Sequence, residues 1–414
     1  LNSDLVIRFQ FTSFNLSLVQ NKKGKNVASL FFKGLKPMPA RDVNENHRVS
    51  TSLELLFDLI FVVAIATAGQ QLHHAIVEDH LLQSLALYLM VFFALWWAWM
   101  NFTWFASAYD NDDALYRVIT MVQMLGALVI AAGIPEAFQK QDFDIIIVGY
   151  VIMRLALVCQ WIRAAKHDPE RKSTIYRYVI GISIIQVFWL FFHFSPVNFT
   201  IYLFILLVIA EMSVPIFAEK HGATPWHSEH IVERYSLLTI IVLGESIVAS
   251  SYAISDALKN QVINTELIFL TIGGVMMMFT MWWMYFDRNA EVRAGNQKHT
   301  FIWGYGHFFI FVSIAAAGAA LAAAVDVSVG HADISDRYEG CIIALTVILY
   351  SISLWLLRDL PYLTGFGKWF YPVSVIVIFA IPFMISHIGY CVFTMAIVFA
   401  FRLVLSKWLI QPLD

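Results

Sequence analysis

Charge is what this sequence has least of. Only 14% of its 414 residues are Asp, Glu, Lys or Arg, against about a quarter in a soluble domain. Cysteine is almost absent. Cys159, Cys341 and Cys391 each sit in an apolar stretch without CxxC spacing, which excludes a disulfide framework and a zinc or redox motif and leaves buried free thiols as the expectation. No basic tract is dense enough for nucleic acid. No Walker A loop is present, and after residue 50 no gap between apolar stretches could house a soluble catalytic domain. Methionine is missing before Met38, so the natural start is expected there, with residues 1–37 as an upstream extension lacking the h-region and cleavage site of a secretory signal.

What is abundant is apolar surface, with 59% hydrophobic and 15% aromatic residues. Stretches of spanning length recur with short polar gaps near 50–70, 81–106, 114–134, 143–165, 174–194, 197–218, 230–254, 264–287, 299–325, 336–357, 368–386 and 388–409. The expected fold is an all-α membrane protein of about twelve transmembrane helices. Basic residues test the orientation, because short cytoplasmic loops collect them. With the N-terminus inside, Arg163, Lys166, Arg171, Lys172, Arg288, Arg293 and Lys298 are among many on the inner side, while the outer side has only Lys140, Lys259 and Arg337. Both termini are therefore expected in the cytoplasm, and the lipid bilayer is the one certain partner.

The chain also repeats itself. Trp96-Trp-Ala-Trp closes the second span and Trp282-Trp-Met-Tyr the eighth, and the helices that follow end in similar small-residue runs at Gly133 and Gly318. Halves with an even number of spans point the same way, so the expected arrangement is two six-helix parallel repeats. The division is a cytoplasmic segment 1–49, a first half 50–218, a linker 219–229 and a second half 230–414.

Inside the spans lie Glu54, Asp58, Arg154, Glu211, Glu233 and Glu245, with His307 on the ninth. A charge at the bilayer centre costs roughly 2.5–3.5 kcal/mol on insertion scales, so these groups must face a bundle or a wet cavity. Glu54 and Asp58, one turn apart, share a face of the first span. Two readings follow. Glu54, Asp58, Arg154, Glu233, Glu245 and His307 form a proton, ion or substrate site between the halves, with Arg154 neutralising one acid and His307 as a relay. Alternatively, a buried ion pair and a hydrogen-bonded Glu fix helix register. The outer cluster His73, His74, Glu78, Asp79 and His80 reads as polar loop rather than metal site. His227-x-x-His230-x-x-Glu233 could put three ligand types on one face but matches no metalloenzyme motif. No metal or cofactor is expected. Trp96-Trp97 and Trp282-Trp283 read as interfacial anchors, and Gly273, Gly274 and Ala315 to Ala324 as close-packing surface.

The run Met38-Pro-Ala-Arg-Asp, His47-Arg48, Leu53-Glu-Leu-Leu-Phe-Asp-Leu-Ile-Phe-Val-Val-Ala, Val232-Glu-Arg-Tyr, Leu243-Gly-Glu-Ser-Ile-Val and Trp303-Gly-Tyr-Gly-His307 resembles the bacterial low temperature requirement A (LtrA) family from Met38 to the C-terminus. The resemblance implies a polytopic inner-membrane protein linked by name to growth in the cold, and brings no substrate or reaction. The expected function is ion-coupled secondary transport of a small solute or ion. A membrane-embedded enzyme acting on a lipid and a non-catalytic sensor component are the alternatives.

Overall fold

The computed structural model describes residues 35–46, 48–196, 199–259, 264–287, 297–360 and 367–409. The expectation about residues 1–37 falls almost wholly outside these residues, as do Arg288 and Arg293 of the charge argument. The described chain is all-helical: α1 Ser52–Val77, α2 Leu81–Tyr109, α3 Ala114–Lys140, α4 Asp144–His167, α5 Lys172–Phe192, α6 Thr200–Ala218, α7 Ser228–Lys259, α8 Thr265–Phe286, α9 Gln297–Ser328, α10 Asp336–Leu354, α11 Gly367–Met384 and α12 Ile388–Leu409. Side-chain caps set several starts. Thr51 makes a reciprocal capping box with Glu54, while Asp113, Asn264 and Ser335 accept from the backbone N–H groups of Tyr116, Leu267 and Tyr338.

Eleven of these helices are long and apolar enough to cross a membrane. The eleventh expected span, 368–386, differs. Its helix, α11, carries Pro372 and Pro382, and its apolar stretch Tyr371–Met384 is shorter than the rest. Each proline removes a backbone donor, and the helix stops two residues after the second.

The bundle is organised around α9, which touches α1, α2, α7, α8, α10 and α12. In its most apolar window 83% of the residues are buried inside the protein. Small side chains make this possible: a Cβ on Gly318 would stand 2.5 Å from Cβ of Ser246 on α7, so only hydrogen fits. On α8, a Cβ on Gly273 would fall 2.7 Å from Cα of Phe393 on α12. Ahead of α1, the segment from Lys36 folds onto the ends of α2 to α4. Arg41 N–H donates to Ala108 O at 3.0 Å, Lys36 N–H to Asp113 Oδ2 at 3.0 Å, and Met38 is fully buried.

Three local expectations change. His73 and His74 belong to α1 rather than to a loop, and His73 Nε2 meets Asp326 Oδ2 of α9 at 2.7 Å. Trp96 and Trp97 are buried among neighbouring helices instead of anchoring at the interface, whereas Trp282 and Trp283 are about half exposed. Of the three thiols only Cys391 is buried, and Cys159 is exposed on an apolar helix. Hydropathy ranks a Trp or Cys in a span without saying which side of the helix meets lipid.

Candidate functional site

The capping box that starts α1 also aims Glu54. Its Oε2 accepts the Thr51 backbone N–H at 2.8 Å, leaving Oε1 to face α7. There Arg234 Nη1 stands at 3.0 Å, His230 Nε2 at 3.2 Å and Arg48 Nη2 at 3.9 Å. One turn along α1, Asp58 takes Arg234 Nη2 at 2.6 Å and Nε at 3.2 Å, and Trp99 of α2 donates its indole N–H at 2.7 Å. Glu54, Asp58, His230 and Arg234 have no solvent exposure. His230 and Arg234 are spaced i, i+4 on α7, matching Glu54 and Asp58 on α1, so one helix face meets the other. The charges nearly balance: two carboxylates lie against Arg234 and, more distantly, Arg48, which also donates to Ala106 O at 3.0 Å.

The other expected site residues divide. Glu233 is beside this cluster but turned aside, and its Oε2 accepts the Ser50 N–H at 3.0 Å. His307 is buried on α9 between Trp303 O at 2.7 Å from Nδ1 and the Tyr285 hydroxyl at 3.1 Å from Nε2. Its ring lies 5.0 Å from that of Tyr235, the residue after Arg234, so one aromatic side chain separates it from the cluster. Arg154 is elsewhere. It pairs with Glu211, which also accepts from Trp97 Nε1 at 3.0 Å, Tyr150 OH at 3.0 Å and Trp189 Nε1 at 3.1 Å. Four donors satisfy that carboxylate completely, so the Arg154 pair ties α2, α4, α5 and α6 together. Glu245 lies about 16 Å along α7 from Arg234, at 1.5 Å per residue, partly exposed and without a hydrogen bond or ion pair among the described residues.

The His227, His230, Glu233 spacing does not converge, since His227 Nε2 lies 3.0 Å from Glu45 O. Among the described residues, the side chains that come close enough for a shared ion are Glu266, Asp336 and His387. Both acids are already employed there, accepting the N–H groups of Gly389 and Ile388 at the start of α12 at 3.1 and 2.9 Å.

Sequence reasoning missed two features. Arg234 stands in the quoted Val232-Glu-Arg-Tyr run, and its shared spacing with His230 was the available signal. The other is a cavity of about 570 Å³ at the bundle end that carries the α6–α7 connector, walled by Trp104, Trp161, Tyr178, Trp226 and Tyr305, with Glu219 in its lining. Trp161 and Tyr178 stack at 4.5 Å between centroids, and Trp104 meets Trp226 edge-on at 5.0 Å. Trp104 also donates its indole N–H to the Tyr235 hydroxyl at 3.1 Å, which joins the cavity wall to the helix bearing Arg234. No periodicity announces such a cavity, because six separate chain segments build it.

Long apolar helices around a sealed charge cluster define a polytopic helical membrane protein. The model of the family described as bacterial low temperature requirement A protein (LtrA) matches residues 49–406, and the chain belongs to that family. It is similar to the uncharacterised protein RA0937 of Rhizobium meliloti (strain 1021), 27% identical over 284 residues that cover 64% of this chain and 67% of the relative. No solved structure matches.

Proposed function

We propose that the protein is an ion-coupled secondary transporter of the bacterial cytoplasmic membrane, with both termini in the cytoplasm. In this reading residues 50–218 and 230–409 are two six-helix halves related by an axis along the membrane normal, and the chain performs no covalent chemistry. The observation that carries it is the sealed bridge from Glu54 through Arg234 to Asp58, which joins the first helices of the two proposed halves next to a cavity wall. A proton on Asp58 removes one of the two charges that grip Arg234, and loosening that grip frees α1 from α7. Glu54 keeps Arg234 from leaving, and His307 stands one ring away as a hydrogen-bonding group. Glu245, without a partner among the described residues, is the second acid through which a proton or cation could pass.

The test compares metabolite pools of a strain lacking the gene, its parent, and a strain carrying Asp58→Asn at equal membrane abundance. The expected result is that Asp58→Asn reproduces the pool changes of the deletion and fails to support growth at low temperature, the phenotype named by the family. Parental pools and growth with Asp58→Asn would end the reading.

A further inference from the structure

The aromatic cavity has an unusual charge composition. Glu219 is the one charged side chain among its described lining residues, and it is buried. Its Oε1 accepts from the Tyr178 hydroxyl at 2.9 Å and the Thr224 hydroxyl at 2.6 Å, and no basic side chain pairs with it among the described residues. Burial pushes this carboxyl up from its ordinary range, as expected for an anion without a counter-charge, while the Thr224 and Tyr178 bonds pull the other way. Around it stand Trp104, Trp161, Trp226 and Tyr305, whose ring faces are the negative poles of their quadrupoles.

We propose that this cavity binds an organic cation, an ammonium carrying methyl, alkyl or aryl groups, with its charge among the aromatic rings and Glu219 as its counter-ion. The volume of about 570 Å³ suits a molecule of that class, within the roughly 300–1,000 Å³ of small-molecule sites. Aromatic faces attract a diffuse cation whose methyl groups they also desolvate. An anion would face Glu219 with no Lys or Arg among the described lining residues to receive it. A bare metal ion would find mostly carbon, with few oxygens to replace its hydration shell. The assignment rests on the transport reading for its role as substrate site, with the Trp104–Tyr235 bond as the physical link to Arg234.

The experiment uses the full chain in lipid nanodiscs, with benzyltrimethylammonium as probe and neopentylbenzene, its neutral isostere, as control. Binding is read by quenching of tryptophan fluorescence and corrected for uptake into empty discs. The cation is expected to bind saturably, and the isostere about tenfold more weakly or less. Glu219→Gln is expected to lower cation affinity by about tenfold with the melting temperature retained. Equal binding of the two probes, or no saturable binding of the cation, overturns the assignment. Should Glu219→Gln not fold, the isostere comparison on the unaltered protein decides. Proteoliposome uptake of the same probe separates the two readings. Saturable binding without uptake, with or without a pH gradient, leaves the cation site standing and removes transport. Gene-dependent changes confined to anionic or neutral metabolites, together with no binding of the cation, remove the cation site and leave transport.

Discussion

Arg234 grips Asp58 with two nitrogens, Nη2 on Oδ1 at 2.6 Å and Nε on Oδ2 at 3.2 Å, so the seventh helix is tied to the first by a bidentate pair. The same guanidinium reaches Glu54 at 3.0 Å. Its removal leaves Asp58 with only the Trp99 indole N–H and Glu54 with Arg48 at 3.9 Å as its nearest remaining arginine.

Breaking a buried ion pair by deleting one partner costs about 3–5 kcal/mol, whereas replacing all partners with neutral groups of similar volume is often nearly neutral. Arg234→Met is therefore expected to lower the melting temperature sharply. The triple variant Glu54→Gln, Asp58→Asn, Arg234→Met should recover most of it and still fail to support growth in the cold. Thermal unfolding in detergent beside growth rescue measures both, and full rescue by the triple variant would make the charges purely structural.

Arg154 and Asp58 belong to separate networks with no shared partner. A double-mutant cycle of Arg154→Gln with Asp58→Asn should be additive within about 0.5 kcal/mol, while Asp58→Asn with Arg234→Gln should show coupling of about 1–3 kcal/mol. Unfolding free energies of the three single and two double variants, beside the unaltered protein, read both cycles. Strong coupling of Arg154 to Asp58 would contradict the packing described.

Asp110 follows α2 outside the spanning segments, and its carboxyl is pushed up to about 6 by burial and, secondly, by the charge of Glu54. Its folded pKa lies above the unfolded value, so the ionised form is the one the fold disfavours. The associated penalty is present above pH 6 and relieved as pH falls from 6 toward 4, by about 3 kcal/mol at most. Asp110→Asn should accordingly stabilise the protein at pH 7.5 and flatten its stability between pH 7.5 and 5. An unchanged pH profile would show that Asp110 is not the responsible group.

Glu211 receives hydrogen bonds from Trp97, Tyr150, Trp189 and Arg154. Removing one neutral donor to a buried carboxylate costs about 1.5–3 kcal/mol, so Trp189→Phe should destabilise by that amount without altering occupancy of the aromatic cavity. A melting curve and the fluorescence titration on the same sample separate the two effects.

The proposed orientation is tested with single cysteines at exposed loop positions in a background freed of Cys159, Cys341 and Cys391. A membrane-impermeant maleimide should label Asp79→Cys and Asp333→Cys in intact cells and Glu170→Cys only after lysis. The reverse pattern would place both termini outside.

The sequence by itself determined the all-helical, membrane-spanning class, because hydropathy over about 20 residues is a local property that bilayer thickness converts directly into helices. It also put Glu54 and Asp58 on one face, since a 3.6-residue turn leaves no alternative. Tertiary structure alone decided their partner. Arg154 and Arg234 are equally plausible cations when read along the chain, and only the contact of α1 with α7, against that of α4 with α6, gives Asp58 to Arg234 and Glu211 to Arg154. The same holds for Trp96 and Trp97, which an interface or a core would accommodate equally until α9 packs against them. The aromatic cavity is the extreme case: its walls come from residues 100 to 305, and no local rule carries information across that distance. Spans follow from the solvent each segment must face, whereas pairings and cavities follow from which side chains are left facing one another once the helices have packed.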